Sequence, residues 1–288
     1  MILRDLFSYS EEGAGAKSSN PDKGIDVREV SCHTALSSSR LPGLDFALNP
    51  YEGCEHGCIY CYAPYVLKAR PSLWGKWVNA RMNIPTLLRK ELKTKNGMIG
   101  IGTVTDPYQP VEKVFSLTRR CLMEIVRKDA PASILTKSEL VIRDISLISE
   151  LSRVEIGITV TTMDDRIAAK FEPQATPPSR RLEVLRELND AGIETYSMVG
   201  PIIPLVTDSN LETLVSEIAK SGTRRVMADG LRVRPGMLEE MHKSEVFNDT
   251  DFRWGFDRAI SSASYFEKAK LRIEELCADA GLAYECAF

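Results

Sequence analysis

Three cysteines stand close together in the first quarter of the chain. Cys54, Cys58 and Cys61 fall within eight residues, spaced C-x3-C-x2-C inside the run NPYEGCEHGCIYCYAP. Gly53 and Gly57 permit sharp backbone turns, so one loop can wrap three sulfurs around a compact centre. Clusters that only transfer electrons usually have four thiolate ligands, whereas an open coordination position is typical of a metal centre that does chemistry. The spacing therefore predicts a [4Fe–4S] cluster with one iron open to a chelating small molecule.

Two other metal sites use the same residues. A zinc knuckle would combine Cys54, Cys58 and Cys61 with His56 or Cys32. Zinc sites usually pair C-x2-C units with a second, distant pair, and this sequence has no such pair. A closed cluster with four thiolates would recruit Cys32. The open cluster is favoured over both.

The loop resembles that of the radical S-adenosylmethionine (SAM) superfamily, in which an aromatic residue precedes the third cysteine; Tyr60 is that residue here. The resemblance implies that the open iron binds the amino and carboxylate groups of SAM. It also implies that the reduced cluster splits SAM into methionine and a 5′-deoxyadenosyl radical, which abstracts hydrogen from a substrate. An external one-electron reductant of the flavodoxin or ferredoxin type would supply the electron.

Several further segments are similar, in order, to the spore photoproduct lyase-like branch of that superfamily. They are NPYEGCEHGCIYCY, TDPYQPVE (105–112), TKS (136–138), Arg143-Asp144, TVTT (159–162) and VGPIIP (199–204). The resemblance covers roughly residues 40 to 235. One position departs from it: Thr103 stands where spore photoproduct lyase has a catalytic cysteine that returns hydrogen to the product radical. A hydroxyl gives up hydrogen to a carbon radical far less readily than a thiol, so the spore-lesion repair reaction is not expected.

The same resemblance implies that Tyr60, Thr105, Asp106, Lys137 and Thr159 surround SAM. Lys137 would pair with the SAM carboxylate, Thr105 would lie near the methionine amino group, and Thr159 near the ribose or methionine portion. Ordinary roles compete: Lys137 as a solvated loop lysine, Thr105 and Asp106 as turn or capping residues, and Thr159 as a β-branched strand residue. Tyr108 and Cys286 are weaker candidates for catalytic residues, Cys286 as a hydrogen donor; a packed structural cysteine is the favoured role of Cys286.

Composition limits the possible partners. Net charge is −3 and 43% of residues are hydrophobic, so there is no global attraction for nucleic acid, although a local basic face would permit it. Residues 67–95 are rich in lysine and arginine around Trp74 and Trp77. This composition fits a surface that binds phosphate groups, but a solvated helix face is the favoured interpretation. A nucleic-acid-binding protein with a structural cluster is the alternative function. No bilayer-spanning run or secretory signal is present, which predicts a cytoplasmic protein.

Short apolar runs alternate with amphipathic stretches after Pro42, and this pattern predicts the scaffold of the site. Runs at 98–104, 133–135, 156–161 and 195–199 read as buried strands, and 112–128, 180–191, 211–220 and the region near 261–280 read as helices. Alternation favours an α/β fold with about six parallel strands in a partial or closed (β/α) TIM-type barrel, whose ligands sit at the strand carboxyl ends. The expected organisation is an N-terminal arm (1–40), a barrel core (41–240) and a C-terminal helical extension (241–288), with residues 8–24 a flexible arm or loop.

Overall fold

The structure, a computed structural model, describes residues 17–20 and 24–287. The strands are β1 (Lys17–Asn20), β2 (Ile25–Val30), β3 (Leu36–Ser38), β4 (Phe46–Leu48), β5 (Tyr51–Glu52), β6 (Trp77–Arg81), β7 (Ile99–Ile101), β8 (Ala132–Thr136), β9 (Val154–Thr159), β10 (Thr195–Ile202), β11 (Arg225–Gly230) and β12 (Ala283–Cys286). The α-helices are α1 (Ala63–Val66), α2 (Ile84–Glu91), α3 (Glu112–Phe115), α4 (Leu117–Lys128), α5 (Ile145–Ile148), α6 (Asp165–Phe171), α7 (Pro178–Asp190), α8 (Leu211–Lys220), α9 (Met237–Met241), α10 (Thr250–Ile260) and α11 (Tyr265–Asp279).

The central sheet has eight strands in the order β12-β11-β10-β9-β8-β7-β4-β3. All neighbours from β4 to β12 are parallel, and only β3 is antiparallel. Helices connect the parallel strands, as a parallel sheet requires. The edge strands β3 and β12 do not pair with each other within the described residues. The predicted α/β fold is confirmed as a partial barrel.

The carboxyl ends of the parallel strands lie along one edge of the main sheet. Ile101 of β7 lies opposite Ile134 of β8, and Ile134 lies opposite Ile156 of β9. All three are essentially inaccessible to solvent, which explains why the strands read as continuous apolar runs. Residues that follow β7, β8 and β9 are therefore brought to one edge of the sheet.

One predicted helix is divided into two. The stretch 112–128 has a helical pattern, but Ser116 adopts a left-handed conformation with φ of 50° and ψ of 36° and separates α3 from α4. The side chain of Glu112 accepts hydrogen bonds from the backbone N–H groups of Thr118 and Arg119 at the start of α4. This contact satisfies amide groups that a continuous helix would have paired internally.

A second sheet, which the sequence did not predict, lies beside the first. Its strands are in the order β1-β2-β6-β5, and β6 occupies part of the basic stretch 67–95 that was interpreted as a helix face. Strand β1 falls within the predicted arm at 8–24 and pairs antiparallel with β2; residues 8–16 and 21–23 of that arm lie outside the described residues. Strand β5 ends two residues before Cys54, so this sheet carries the cysteine loop.

The C-terminal part of the chain returns to the main sheet. Helices α10 and α11 lead into β12, which pairs parallel with β11. Helix α11 packs on both of these strands and on α8. Cys121 and Cys277 are fully buried in the main hydrophobic core. Across the described residues, no helix combines the length and apolar character needed to cross a bilayer.

Candidate active site

The cysteine loop is a buried turn between β5 and α1. Cys54 and Cys58 are 6% and 8% exposed, and Cys61 is half-buried. Gly53 and Gly57 have φ values of +83° and +59°, in a backbone region that residues with a side chain rarely adopt. At Gly53 a side chain would also collide with the carbonyl group of Trp77 on β6. The two glycines thus give the loop the shape that was expected of it.

The segment after β7 fastens this loop. Gln109 accepts a hydrogen bond from the Glu55 backbone N–H at 2.8 Å, and its amide nitrogen donates to the Gly53 carbonyl at 3.3 Å. Thr105 donates its hydroxyl hydrogen to the same carbonyl and accepts from Gln109 at 2.9 Å. The backbone N–H of Val111 donates to the Glu55 carboxylate. Thr105, predicted to contact SAM, therefore also supports the backbone on the amino side of Cys54.

Asp106 joins three elements. One carboxylate oxygen accepts from the Thr136 hydroxyl at 2.7 Å and from the Tyr108 backbone N–H at 2.8 Å. The other accepts from the Lys137 backbone N–H at 2.8 Å and lies 3.3 Å from Nδ1 of His56. Since His56 stands between Cys54 and Cys58, this carboxylate ties the cysteine loop to the end of β8.

A buried charged network lies on the other side of the loop. The Tyr60 hydroxyl donates to Glu172, and Glu172 is paired with Arg181 of α7. Arg181 also donates to the Thr159 carbonyl at the end of β9, at 3.0 Å. Because every polar group in this chain of contacts has a partner, it can stay buried. The network fixes the Tyr60 ring relative to the end of β9.

Lys137 lies between the contacts of Asp106 and the buried network of Tyr60, Glu172 and Arg181. Its ammonium group lies 5.7 Å from the centre of the Tyr60 ring. Burial alone would lower the pKa of Lys137, but the nearby Cys58 and Glu172 outweigh burial and hold the pKa above its ordinary value. Lys137 is therefore a cation at neutral pH. Its position beside the cysteine loop gives it access to an anionic ligand.

The donor set fits an iron–sulfur cluster. Burial raises the pKa of the Cys58 thiol to about 12 and also raises those of Cys54 and Cys61, and at Cys54 the other two thiols add to the effect. The three thiols thus lie near one another in a site where a metal's positive charge would be needed to favour the thiolates. In the described part of the chain, no three His, Cys, Asp or Glu side chains are close enough to hold a single metal ion. The three sulfurs need not meet at one point to hold a cluster, as they would to hold one ion, because each thiolate binds a different iron.

The two candidates for a fourth ligand differ in their contacts. The Cys32 thiol donates to the side-chain carbonyl of Asn83 at 3.4 Å, and the Cys32 backbone N–H donates to the same atom at 2.9 Å. These contacts disfavour a fourth thiolate from Cys32. His56 is paired with Asp106 through Nδ1, a contact that metal-bound histidines also make, so this pair does not distinguish the open cluster from a zinc site.

The structure separates the two weaker catalytic candidates from this loop. Tyr108 is fully buried in the main hydrophobic core, with Asp144 beside its hydroxyl. Cys286 is exposed on β12, where Lys270 donates to its sulfur at 3.9 Å. Thr103 lies nearer the loop: Asn49 donates to its hydroxyl at 3.0 Å, and Tyr62 donates to its carbonyl. A role of Tyr108 or Cys286 as hydrogen donor stays a prediction.

Apolar side chains enclose the site from the C-terminal side. Cys58 and Tyr60 belong to a hydrophobic cluster with residues of α6, α9 and α10 and of the loops after β10 and β11; its buried members are Phe171, Ile203, Val206, Leu231, Met237, Met241, Phe247 and Phe256. Nearby, a cleft of about 500 Å³ opens between the loops that follow β9 and β10, and Thr162, Thr207 and Asn210 contribute to its lining. The carboxyl edge of the sheet thus combines a closed wall and an open cleft.

Sequence reasoning missed Glu172, Arg181 and the fastening role of Gln109. Arg181 gave a signal that was overlooked: it lies four residues before Leu185 and seven before Leu188, on the buried face of α7. An arginine on an apolar stripe requires a buried partner. Glu172 follows α6 directly and gave no comparable signal.

Comparison with known proteins gives a family match and several relatives. The family model described as Radical SAM superfamily matches residues 48–218, more than half of the chain. An uncharacterized protein of Methanocaldococcus jannaschii is 34% identical over 88% of this chain and 98% of its own length. An uncharacterized protein of Mycobacterium tuberculosis is 31% identical over 73% of this chain and 66% of its own length. A protein of Pseudomonas phage M6 described as a Radical SAM Nalpha-GlyT isomerase is 25% identical over 77% of this chain and 46% of its own length.

Solved structures show the same architecture. A mutant of spore photoproduct lyase superimposes with a TM-score of 0.69 over 90% of this chain and 81% of that one, at 14% sequence identity. A structure of that enzyme with bound AdoMet and dinucleoside spore photoproduct gives a TM-score of 0.67 over the same shares, at 15% identity. At this level of identity the likeness concerns the fold.

Proposed function

The chain belongs to the radical SAM superfamily, and from that premise we propose that it is an enzyme whose [4Fe–4S] cluster is held by Cys54, Cys58 and Cys61. When bound, the cluster and SAM supply the chemistry: reductive cleavage of SAM to a 5′-deoxyadenosyl radical that abstracts hydrogen from the substrate. The single observation that carries the proposal is the buried loop that presents three neighbouring thiols, with the candidate for a fourth thiolate, Cys32, bonded to Asn83 instead.

Lys137 is proposed to bind the carboxylate of SAM. It is a half-buried cation beside the cysteine loop, and its ammonium group gains from an anionic ligand because a desolvated charge needs a partner. Asp106 holds the backbone of Lys137 at 2.8 Å, which fixes where the lysine side chain starts. Thr159 ends β9 and Thr105 follows β7, the two strands on either side of β8, in the places proposed for the ribose or methionine portion and the amino group.

The remaining residues orient the site and exclude water. Gln109 and Thr105 hold the loop at Gly53 and Glu55. The apolar cluster that includes Phe171 and Met241 covers the inner side of the loop. A dry, ordered site limits side reactions of a reactive intermediate. The isomerase description of the phage relative supports an enzymatic role over a structural cluster.

Anaerobic reconstitution with iron and sulfide tests this proposal. The expected result is a bound cluster whose electron paramagnetic resonance spectrum changes when SAM is added, and release of 5′-deoxyadenosine under strong reduction. Cys58→Ala should lose the cluster, whereas Cys32→Ala should retain the full iron content because Cys32 lies at Asn83. Loss of iron in Cys32→Ala would support the closed four-thiolate cluster.

The proposal would be contradicted by a stable cluster whose spectrum does not change with SAM, in a protein that binds single-stranded DNA or RNA tightly. That result would support the alternative function, a nucleic-acid-binding protein with a structural cluster. Zinc in place of iron after anaerobic purification would also contradict the proposal.

A further inference from the structure

One cluster cysteine is linked to the protein surface through a tryptophan. Cys61 is the most exposed of the three cysteines, and the indole of Trp74 lies beside its thiol. Trp74 is itself half-buried and contacts Trp77 edge to face, with ring centres 6.3 Å apart. Trp74 therefore stands between the outside of the molecule and a cluster ligand.

The segment that carries Trp74 lies directly on the cysteine loop. Gly75 packs so closely on Gly57 that a side chain at Gly75 would stand 2.8 Å from the Gly57 Cα atom. Successive turns keep the segment compact, since the Leu73 N–H donates to the Arg70 carbonyl and the Lys76 N–H to the Leu73 carbonyl, each at 3.1 Å. Only a thin layer of protein covers the loop here.

The outer face of this layer is apolar and basic. Val66 and Leu73 are 45% and 42% exposed, and Lys68, Arg70 and Lys76 are exposed around them. We call these five residues the collar. Among the described residues no carboxylate forms an ion pair with the three cations. Glu239 and Glu240 of α9 lie near Tyr65 of α1, and α9 also contacts the turn Pro71–Leu73 beside the collar.

Lys68 holds its place in the collar at a conformational cost. Its φ is +54°, a left-handed conformation that glycine or asparagine adopts more easily than lysine. Lys68 directly follows Leu67, the C-cap residue of α1, at a position where a left-handed residue commonly ends a helix.

We infer that the collar is the docking surface for the protein's electron donor, a small acidic one-electron carrier of the flavodoxin or ferredoxin type. The inference rests on the proposed function, since one electron leaves the reduced carrier and enters the cluster at each transfer. Positive charge attracts the acidic carrier and accelerates encounter. The two exposed apolar side chains give the small, weakly bound interface typical of redox partners.

A nucleic acid is the other polyanion that the collar would attract. The carrier is favoured because Trp74 connects this surface to a cluster ligand, a connection that electron transfer uses and phosphate binding does not. The collar also has only three cations, whereas nucleic-acid binding draws on many phosphate contacts.

The test compares two triple charge reversals in the reconstituted full-length protein. The first, Lys68→Glu, Arg70→Glu and Lys76→Glu, changes the collar. The control, Arg89→Glu, Lys90→Glu and Lys93→Glu, makes the same change of charge at the exposed end of α2. Photoreduced flavodoxin and photoreduced deazaflavin, a small molecule, serve as reductants, and bleaching of the cluster absorbance is followed. The Kd of oxidised flavodoxin is measured separately.

At low ionic strength the collar variant should be reduced by flavodoxin about tenfold more slowly or worse, with a weaker flavodoxin Kd and an unchanged rate with deazaflavin. The control should stay within about twofold of the wild type, because its charges lie outside the short range of an encounter at the collar. Equal slowing of both variants, or no slowing, would overturn the inference. So would loss of single-stranded DNA binding in the collar variant with an unchanged flavodoxin rate. If deazaflavin bleaches no cluster in the wild type, the proposed function itself fails.

Discussion

Arg181 and Glu172 form an ion pair whose side chains are 1% and 0% exposed. The pair joins α7 to the loop after α6, and through Tyr60 and the Thr159 carbonyl it reaches the cysteine loop and β9. Opposite charges without access to water are tolerated only when both are fully hydrogen-bonded. The pair therefore links the stability of the fold to the shape of the site.

Glu172→Gln should destabilise the protein by about 3–5 kcal/mol, because it leaves the buried Arg181 guanidinium without its counter-charge. Urea unfolding of the purified protein measures the effect. Arg180→Met is the matched control: Arg180 is the neighbouring residue, and it pairs with Glu139, Glu183 and Glu187 on the exposed side of α7. Exposed pairs contribute about 1 kcal/mol or less. Similar losses in both variants would show that burial of the pair is unimportant.

Glu91 should make stability depend on pH in the acid range. Burial raises its pKa, but hydrogen bonds from Lys95 and from the backbone N–H groups of Ala35 and Leu36 outweigh burial, and the net pKa lies below its ordinary value. A lowered pKa stabilises the folded state above the unfolded-state pKa, and this contribution is lost as pH falls through the folded-state pKa. The free energy of unfolding should therefore fall below about pH 4.5 more steeply in the wild type than in Glu91→Gln. Parallel pH profiles of the two proteins would contradict this assignment.

The sequence predicted the parts of the fold that depend on local pattern. Continuous apolar runs gave β8, β9 and β10, and the amphipathic pattern at 180–191 gave most of α7. The second sheet was missed because β5 and β6 are short and polar and owe their pairing to distant partners such as β2. The helix break at Ser116 was missed for a similar reason: Glu112, which satisfies the amide groups of α4, looks like any surface glutamate in the sequence.

For the site, the thiol spacing identified the loop, but the contacts that hold it depend on tertiary structure. Lys137 follows β8 and Thr159 ends β9, close to the ends of the predicted runs 133–135 and 156–161. Thr105 and Asp106 were expected to contact SAM, and the structure adds a second use for both, in the hydrogen bonds to Gly53 and to the Lys137 backbone. No spacing rule relates residues 105 and 53.

Lys137→Met should weaken SAM binding by about 30-fold or more, because truncation of one partner of a desolvated charge pair costs at least 2 kcal/mol. Calorimetry with the reconstituted protein measures the Kd directly. Lys170→Met, an exposed lysine near the end of α6, should leave the Kd unchanged. The iron content of both variants should equal that of the wild type, since Lys137 donates no ligand to the metal. An unchanged Kd in Lys137→Met would assign the SAM carboxylate to another residue.

Gly75→Ala should loosen the cysteine loop. Alanine is strained at a φ of +86°, and its side chain would meet the Gly57 Cα atom at 2.8 Å. Backbone atoms on both sides of this contact cannot yield as a flexible side chain would, so the two segments must separate.

Gly43→Ala is the control that separates conformational strain from steric collision. Its φ is +74°, but a side chain there meets nothing within 4 Å. Conformational strain alone should cost about 1 kcal/mol in each variant, and the collision should add roughly 1–3 kcal/mol in Gly75→Ala. Urea unfolding measures both costs, and only Gly75→Ala should also retain less iron, because only it displaces the backbone between Cys54 and Cys58. Equal stability losses and full iron content in both variants would mean that the segment of Trp74 can move without disturbing the loop, and the short path to Cys61 would lose its support.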